Sequence, residues 1–131
     1  MRVGLVNIGD ELLLGKTLNT NAFDLAAWLN ELGHELAFAL TVGDREEAIV
    51  AALRECAGGS GLPRCGMLFL TGGLGPTPDD LTREAVAAFL ETELVRSAEA
   101  EKWLAERLGV KADAIGEGQR TQLSIPKGSK A

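Results

Sequence analysis

Apolar runs of six to nine residues alternate along this chain with longer segments whose apolar residues recur every three or four positions. No other feature constrains the fold as much. A strand, an amphipathic helix and a second strand close as a right-handed parallel unit, with helices covering the sheet. "RVGLVNI" (2–8), "HELAFALTV" (34–42) and "CGMLFL" (65–70) read as strands. In "NTNAFDLAAWLNELG" (19–33), Ala22, Leu25, Ala26, Leu29 and Leu32 share a helical face, and Gly33 supplies the stop. "DREEAIVAALRECAG" (44–58) offers Asp44 as N-cap with Glu47 three residues on, and a buried stripe of Ile49, Leu53 and Cys56. Thr82 caps "REAVAAFL", with Ala85, Val86, Phe89 and Leu90 on one face. Ser97 caps "AEAEKWLAERLG", turning Ala100, Trp103, Leu104 and Leu108 inward.

The order β-α-β-α-β-α-α predicts an α/β fold with a mostly parallel sheet, its first strand central and helices on both faces. From Val110 to Ala131 no fourth strand is predicted, so the sheet is expected to be incomplete at its C-terminal end.

With 131 residues the chain is one domain's worth. Its formal net charge of −6 opposes a phosphate backbone, which argues against nucleic-acid binding. No apolar stretch approaches a membrane span, and "MRVGLVNIGDEL" has no signal-peptide pattern. Cys56 and Cys65 fit a reducing compartment and read as packing residues; with His34 the only histidine they make no zinc set. A cytoplasmic protein is expected.

Two connections are too long. Strand-to-helix loops usually run about two to six residues. The second one, around Val42 to Asp44, obeys that rule, whereas "GDELLLGKTLNT" and "TGGLGPTPDD" roughly double it. Both leave the C-terminal ends of strands, the edge where open parallel sheets bind ligands. "GKT" (15–17) invites a P-loop reading, but the required first glycine falls on Asp10, and Glu11 with three leucines cannot cradle an anion. "GLGPTP" lacks the third glycine of a dinucleotide fingerprint, and its prolines bar an immediate helix start.

What these loops share is acids and glycines. Glu11 follows the first strand, Asp44 the second, Asp79 and Asp80 the third. Such a set repels itself unless a cation or a ligand's donors compensate, and Mg²⁺ takes oxygen ligands shared with substrate phosphates. Gly72, Gly73 and Gly75 let backbone amides approach an anion closely, with Lys16 and Arg83 the nearest cations for a second phosphate. Turn chemistry also uses these residue types: Asp44 is equally readable as a helix cap, and Asn19 and Asn21 as caps or ligand contacts, with capping favoured for one of them.

"GDELLLGKTLNTN" (9–21), "VGD" (42–44) and "TGGLGPTPDDLTREA" (71–85), in that order, resemble the N-terminal domain of the CinA (competence/damage-inducible) proteins, within the molybdopterin-binding, or molybdenum-cofactor biosynthesis, superfamily. The likeness spans most of the chain. It implies a three-layer α/β sandwich whose pocket takes a pterin or a nucleotide phosphate. It also implies a hydrolase, a metal-dependent ADP-ribose pyrophosphatase using Mg²⁺ or Co²⁺, and a homo-oligomer. Carried over by motif, Asp80, Asp44 and Glu11 are the catalytic acids, with Asp80 and Asp44 on the metal. Gly72, Gly73, Gly75, Thr71 and Lys16 fall to the small phosphorylated ligand. A non-catalytic pterin- or nucleotide-binding module is the alternative, and a clipped domain with only an interaction role is a third. "QRTQLSIPKG" (119–128) resembles the segment before the family's N-x-x-G-T-A-P-G stretch, with Gln119 where asparagine is usual. Residues 1–131 are expected to be a single, shortened domain without that stretch or the family's deamidase domain.

Overall fold

At the centre of the computed structural model, which describes residues 1–130, lies β1 (Arg2–Ile8), buried from Val3 onward. β2 (Glu35–Val42) and β3 (Met67–Thr71) run parallel to it on either side, in the order β2-β1-β3. A strand covered on both faces reads as an unbroken apolar run, as "RVGLVNI" does. α1 (Asp10–Leu13) and α2 (Asn21–Glu31) connect β1 to β2, and α3 (Glu46–Gly58) connects β2 to β3. α4 (Thr82–Phe89), β4 (Leu94–Arg96), α5 (Ala98–Leu108), α6 (Glu117–Arg120) and β5 (Ser124–Pro126) follow. β4 and β5 form a separate antiparallel pair.

The first crossover moves from the centre to one edge and the second returns past it. Right-handed connections therefore put α2 and α3 on opposite faces. Val6 and Ile8 pack with Ile49, Ala52 and Leu53 of α3 and Ala85 of α4, flanked by Leu40, Val42, Leu68 and Leu70 of the outer strands. Each large side chain sealed there contributes about 1.5–3 kcal/mol. Gly4 belongs to the same face: a Cβ on it would lie 2.3 Å from Phe38 and 2.9 Å from Leu68, so its bareness lets those two neighbours meet over β1. α2 covers β2 and buries Leu29.

The expected α/β sandwich with a central first strand is the observed one. β4 and β5, three residues each, were not expected, because so short a span shows no periodicity and β5 ends in Pro126. Gly33 follows α2 at φ +72°, and Ser97 Oγ accepts from Ala100 N at 3.1 Å, as their capping roles require. Thr82 and Asp44 do not cap: Thr82 is the first residue of α4, and α3 starts after Arg45. Trp103 and Leu108, expected inward, are exposed. α5 packs through Ala105 on a small cluster with Ile115 and Leu123 and presents only that narrow face. The Arg107 guanidinium instead lies 5.2 Å from the Trp103 ring centre.

Both cysteines are free and half-buried. Burial pushes the Cys56 thiol up, and the charges of Cys65 and Glu55 add to that. Among the described residues no helix is long and apolar enough to cross a membrane.

Candidate functional site

The loops leaving the C-terminal ends of all three parallel strands meet around one cavity of about 210 Å³. Ile8 and Gly9 line it from the end of β1 and Glu11 from the first loop. The second loop contributes Asp44, and the third contributes Gly72, Gly73, Thr77, Asp79 and Asp80. A larger hollow of about 450 Å³ lies beside Trp103 and Ile125, but Glu99 is its only charged lining residue among the described ones. Donor chemistry, not size, selects the site.

Asp10 and Asp44 clasp the first two loops together. Asp44 Oδ2 accepts from Asp10 N at 2.8 Å, and Asp10 Oδ1 accepts from Asp44 N at 3.2 Å. A Cβ at Gly43 would fall 2.3 Å from Asp10 Oδ1, so this exchange needs the glycine. Here lies the reason Asp44 caps no helix: its carboxylate is drawn to the opposite loop. Asp10, which the spacing of acids did not single out, is the partner; its position directly after the glycine that ends a buried strand was the available signal.

The third loop turns back on β1. Gly72 has φ +90°, and a Cβ there would stand 1.9 Å from Ile8 O; Gly73 has φ +60° and a Cβ would lie 2.4 Å from Thr82 Oγ1. Thr82 reinforces the turn, its Oγ1 donating to Gly72 O at 2.8 Å and its N to Gly73 O at 3.1 Å. Gly72 and Gly73 reach the cavity wall, but the protein itself occupies the space their missing side chains leave. Gly75 does not line the cavity: its bare Cα faces Asp80, whose Oδ2 would sit 2.5 Å from a Cβ.

Asp80 holds its own loop. Its Oδ2 accepts from Thr77 N at 2.9 Å and Thr77 Oγ1 at 2.6 Å, while its backbone N donates to Thr77 O at 3.0 Å. The Thr77 hydroxyl first, then the Thr77 and Gly75 amides and the Arg83 charge, hold its carboxyl below the usual aspartate value against a smaller opposing effect of burial. Asp80 is thus an ionised anchor rather than a group poised to take a proton.

Three expected ligand contacts lie elsewhere. Thr71 Oγ1 donates to Asn7 Oδ1 at 3.1 Å and accepts from Asn21 Nδ2 at 3.1 Å, so its hydroxyl is part of a polar row across the sheet end. Asn19 Nδ2 donates to Thr41 Oγ1 at 3.3 Å, on the strand position that pairs with Asn7. Neither asparagine caps α2, whose N-cap Thr20 makes no side-chain capping bond. Lys16 is exposed and off the cavity wall. Arg83 is buried behind the third loop, its Nη1 donating to Leu74 O at 2.7 Å and its Nη2 to Gly75 O at 3.0 Å. It is a clamp on the loop and is turned away from any phosphate in the cavity.

Among the described residues, four carboxylates and no cation thus line the cavity, and a bare phosphate would be repelled there. No three described His, Cys, Asp or Glu side chains stand close enough to hold a metal ion by themselves. With carboxylates on the wall but no three clustered, the set matches how Mg²⁺ is held by one or two carboxylates when substrate phosphates complete its shell, and does not match a dedicated protein cage. Asp44 and Asp80 fit that role, each having one carboxylate oxygen tied to a loop amide.

A family model described as "Probable molybdopterin binding domain" matches residues 4–127. The chain is 43% identical over 131 residues to a CinA-like protein of Citrifermentans bemidjiense, covering 99% of this chain and 30% of that protein. It is 41% identical over 127 residues to a CinA-like protein of Synechococcus sp. strain CC9902, covering 97% and 29%. It therefore spans only about 30% of the curated relatives it matches. Among solved structures it is similar to the protein CinA with unknown function from Thermoplasma acidophilum, with a TM-score of 0.80 and 26% identity over 96% of this chain and 70% of that one. It shares its fold with the molybdopterin biosynthesis enzyme MoaB of Thermus thermophilus, at a TM-score of 0.61 and 22% identity over 95% of this chain and 78% of that one. By the family match over nearly its whole length, this chain belongs to the molybdopterin-binding domain family, and within it the chain is similar to CinA-like proteins.

Proposed function

We propose that this domain binds the diphosphate of a nucleotide together with a divalent cation and hydrolyses the linkage, with ADP-ribose the favoured substrate. The observation that carries this reading is the meeting of Glu11, Asp44, Asp79 and Asp80 with the Gly72–Gly73 backbone around one cavity. At about 210 Å³ the cavity is smaller than the ~300–1,000 Å³ sites that enclose drug-sized ligands, so it suits the phosphate groups and their cation, with the nucleoside lying outside.

Asp44 and Asp80 would hold Mg²⁺ or Co²⁺, which when bound would supply neutralisation of the charge that gathers on the leaving oxygen. The chain does the rest. Asp80, kept ionised by Thr77, fixes the third loop against the substrate. The backbone at Gly72 and Gly73 forms the wall nearest the anion. Glu11, whose carboxylate makes no hydrogen bond among the described residues, is the acid assigned to orient the attacking water. Purified protein incubated with ADP-ribose and either cation should release AMP and ribose 5-phosphate, and Asp80→Ala should lower that rate by at least about tenfold. Turnover that survives Asp80→Ala refutes the mechanism.

A non-catalytic pterin- or nucleotide-binding module is the second reading, favoured by one observation: Asp80 spends its carboxylate on its own loop. Thermal stabilisation by pterin or nucleotide without metal-dependent hydrolysis would select it.

Self-association belongs to the proposal. The first loop and the start of α2 leave Leu13, Leu14, Leu18 and Phe23 between 58% and 83% exposed, an apolar surface suited to a second copy. A cytoplasmic setting agrees with two free thiols.

A further inference from the structure

The chain has two cysteines and two methionines, and all four sulphurs gather at the end of the sheet opposite the acid-lined cavity. Cys56 lies in the last turn of α3, Cys65 just before β3, and Met67 opens β3. The Met1 thioether reaches Gly66, its Sδ 3.8 Å from where a Cβ would stand. Cys56 and Cys65 together line two adjoining hollows. One, of about 290 Å³, also has Arg64 and the glycine turn in its wall. The other, of about 300 Å³, adds Met67 beside Phe89. Neither shares a residue with the candidate site.

We propose that Cys56 and Cys65, with Met67, bind a soft monovalent cation of the copper(I) class. Thiolate and thioether sulphur select such ions, whereas hard cations go to oxygen. The neighbouring carboxylate is withdrawn from competition: Glu55 Oε1 accepts from Gly61 N at 2.9 Å. Two thiolates satisfy a two-coordinate ion, so no third His, Cys, Asp or Glu is needed. On binding, both S–H protons pass to buffer and two S–Cu thiolate bonds form, the Met67 thioether adding a weaker neutral donor; this leaves a site of net charge −1, with the Arg64 guanidinium in the same wall set against it and the Glu55 carboxylate. Gly59 makes room for that carboxylate in the turn between the two cysteines, since a Cβ there would fall 2.1 Å from Glu55 Cδ.

The test is anaerobic competition for Cu(I) between the reduced full chain and the chromophoric chelator bicinchoninate. One ion per chain is expected, with Cys56→Ser and Cys65→Ser each weakening binding by at least about tenfold and Met67→Leu by less. A single-thiol variant that competes as well as the parent overturns the site. In the unaltered protein, bound Cu(I) should protect both thiols from iodoacetamide, located by peptide mapping. Equal alkylation with and without the ion overturns it equally, whatever the variants do to folding.

Discussion

Asp10 and Asp44 each accept the other's backbone N–H, at 3.2 and 2.8 Å, and so fix the spacing of two loops that are 34 residues apart in sequence. Asp10→Ala leaves the Asp44 amide without its acceptor. The expected cost is about 0.5–1.5 kcal/mol in urea unfolding, with Asp10→Asn, which keeps an oxygen there, nearer the parent. If the proposed hydrolysis holds, Asp10→Ala also raises the metal concentration needed for half-maximal rate, because Asp44 is no longer held at its place.

Gly72→Ala should be far worse than Gly15→Ala. Both positions have positive φ, but Gly15 has open space around it, whereas a Cβ at Gly72 meets a main-chain oxygen that cannot swing away. About 1 kcal/mol is expected at Gly15 and about 2–4 kcal/mol at Gly72, read from unfolding midpoints.

Asp80 provides a pH test. Its folded-state pKa is depressed, so its contribution to stability is present above the ordinary aspartate value and is lost as pH falls from there through the lower folded value. Carbon-detected NMR titration should find Asp80 among the lowest aspartate carboxyls. Thr77→Val, which deletes the hydroxyl donor, should move it back upward. An unchanged titration in Thr77→Val would show that the hydroxyl bond is not the main cause.

Arg83→Met removes both donors from the Leu74 and Gly75 carbonyls on the buried side of the third loop. A loss of about 1–3 kcal/mol is expected. Amide exchange should accelerate between residues 74 and 80 while the β1 ladder stays protected.

The main sheet and its order were legible because each strand is a buried apolar run and each helix carries a periodic face. The two overlong loops marked the edge of the sheet where the acid-lined cavity lies. What stayed hidden depends on tertiary partners. Asp44 looks like a cap until Asp10 is placed opposite it. Arg83 looks like a phosphate ligand until the loop folds over it. Thr71 lies beside three glycines in sequence but turns to the other face of the sheet, because side chains alternate along a strand. The outward turn of Trp103 was hidden for another reason: its helix packs on Ile115 and Leu123, which no periodic segment advertised.

The polar row Asn7–Thr71–Asn21 joins the first residue of α2 to the last residue of β3, one peptide before Gly72. The start of that helix is therefore tied by one hydrogen bond to the root of the glycine turn, and by a second, through the same hydroxyl, to β1. The apolar surface beside α2 and the acidic hollow thus lie on elements that this polar row ties together.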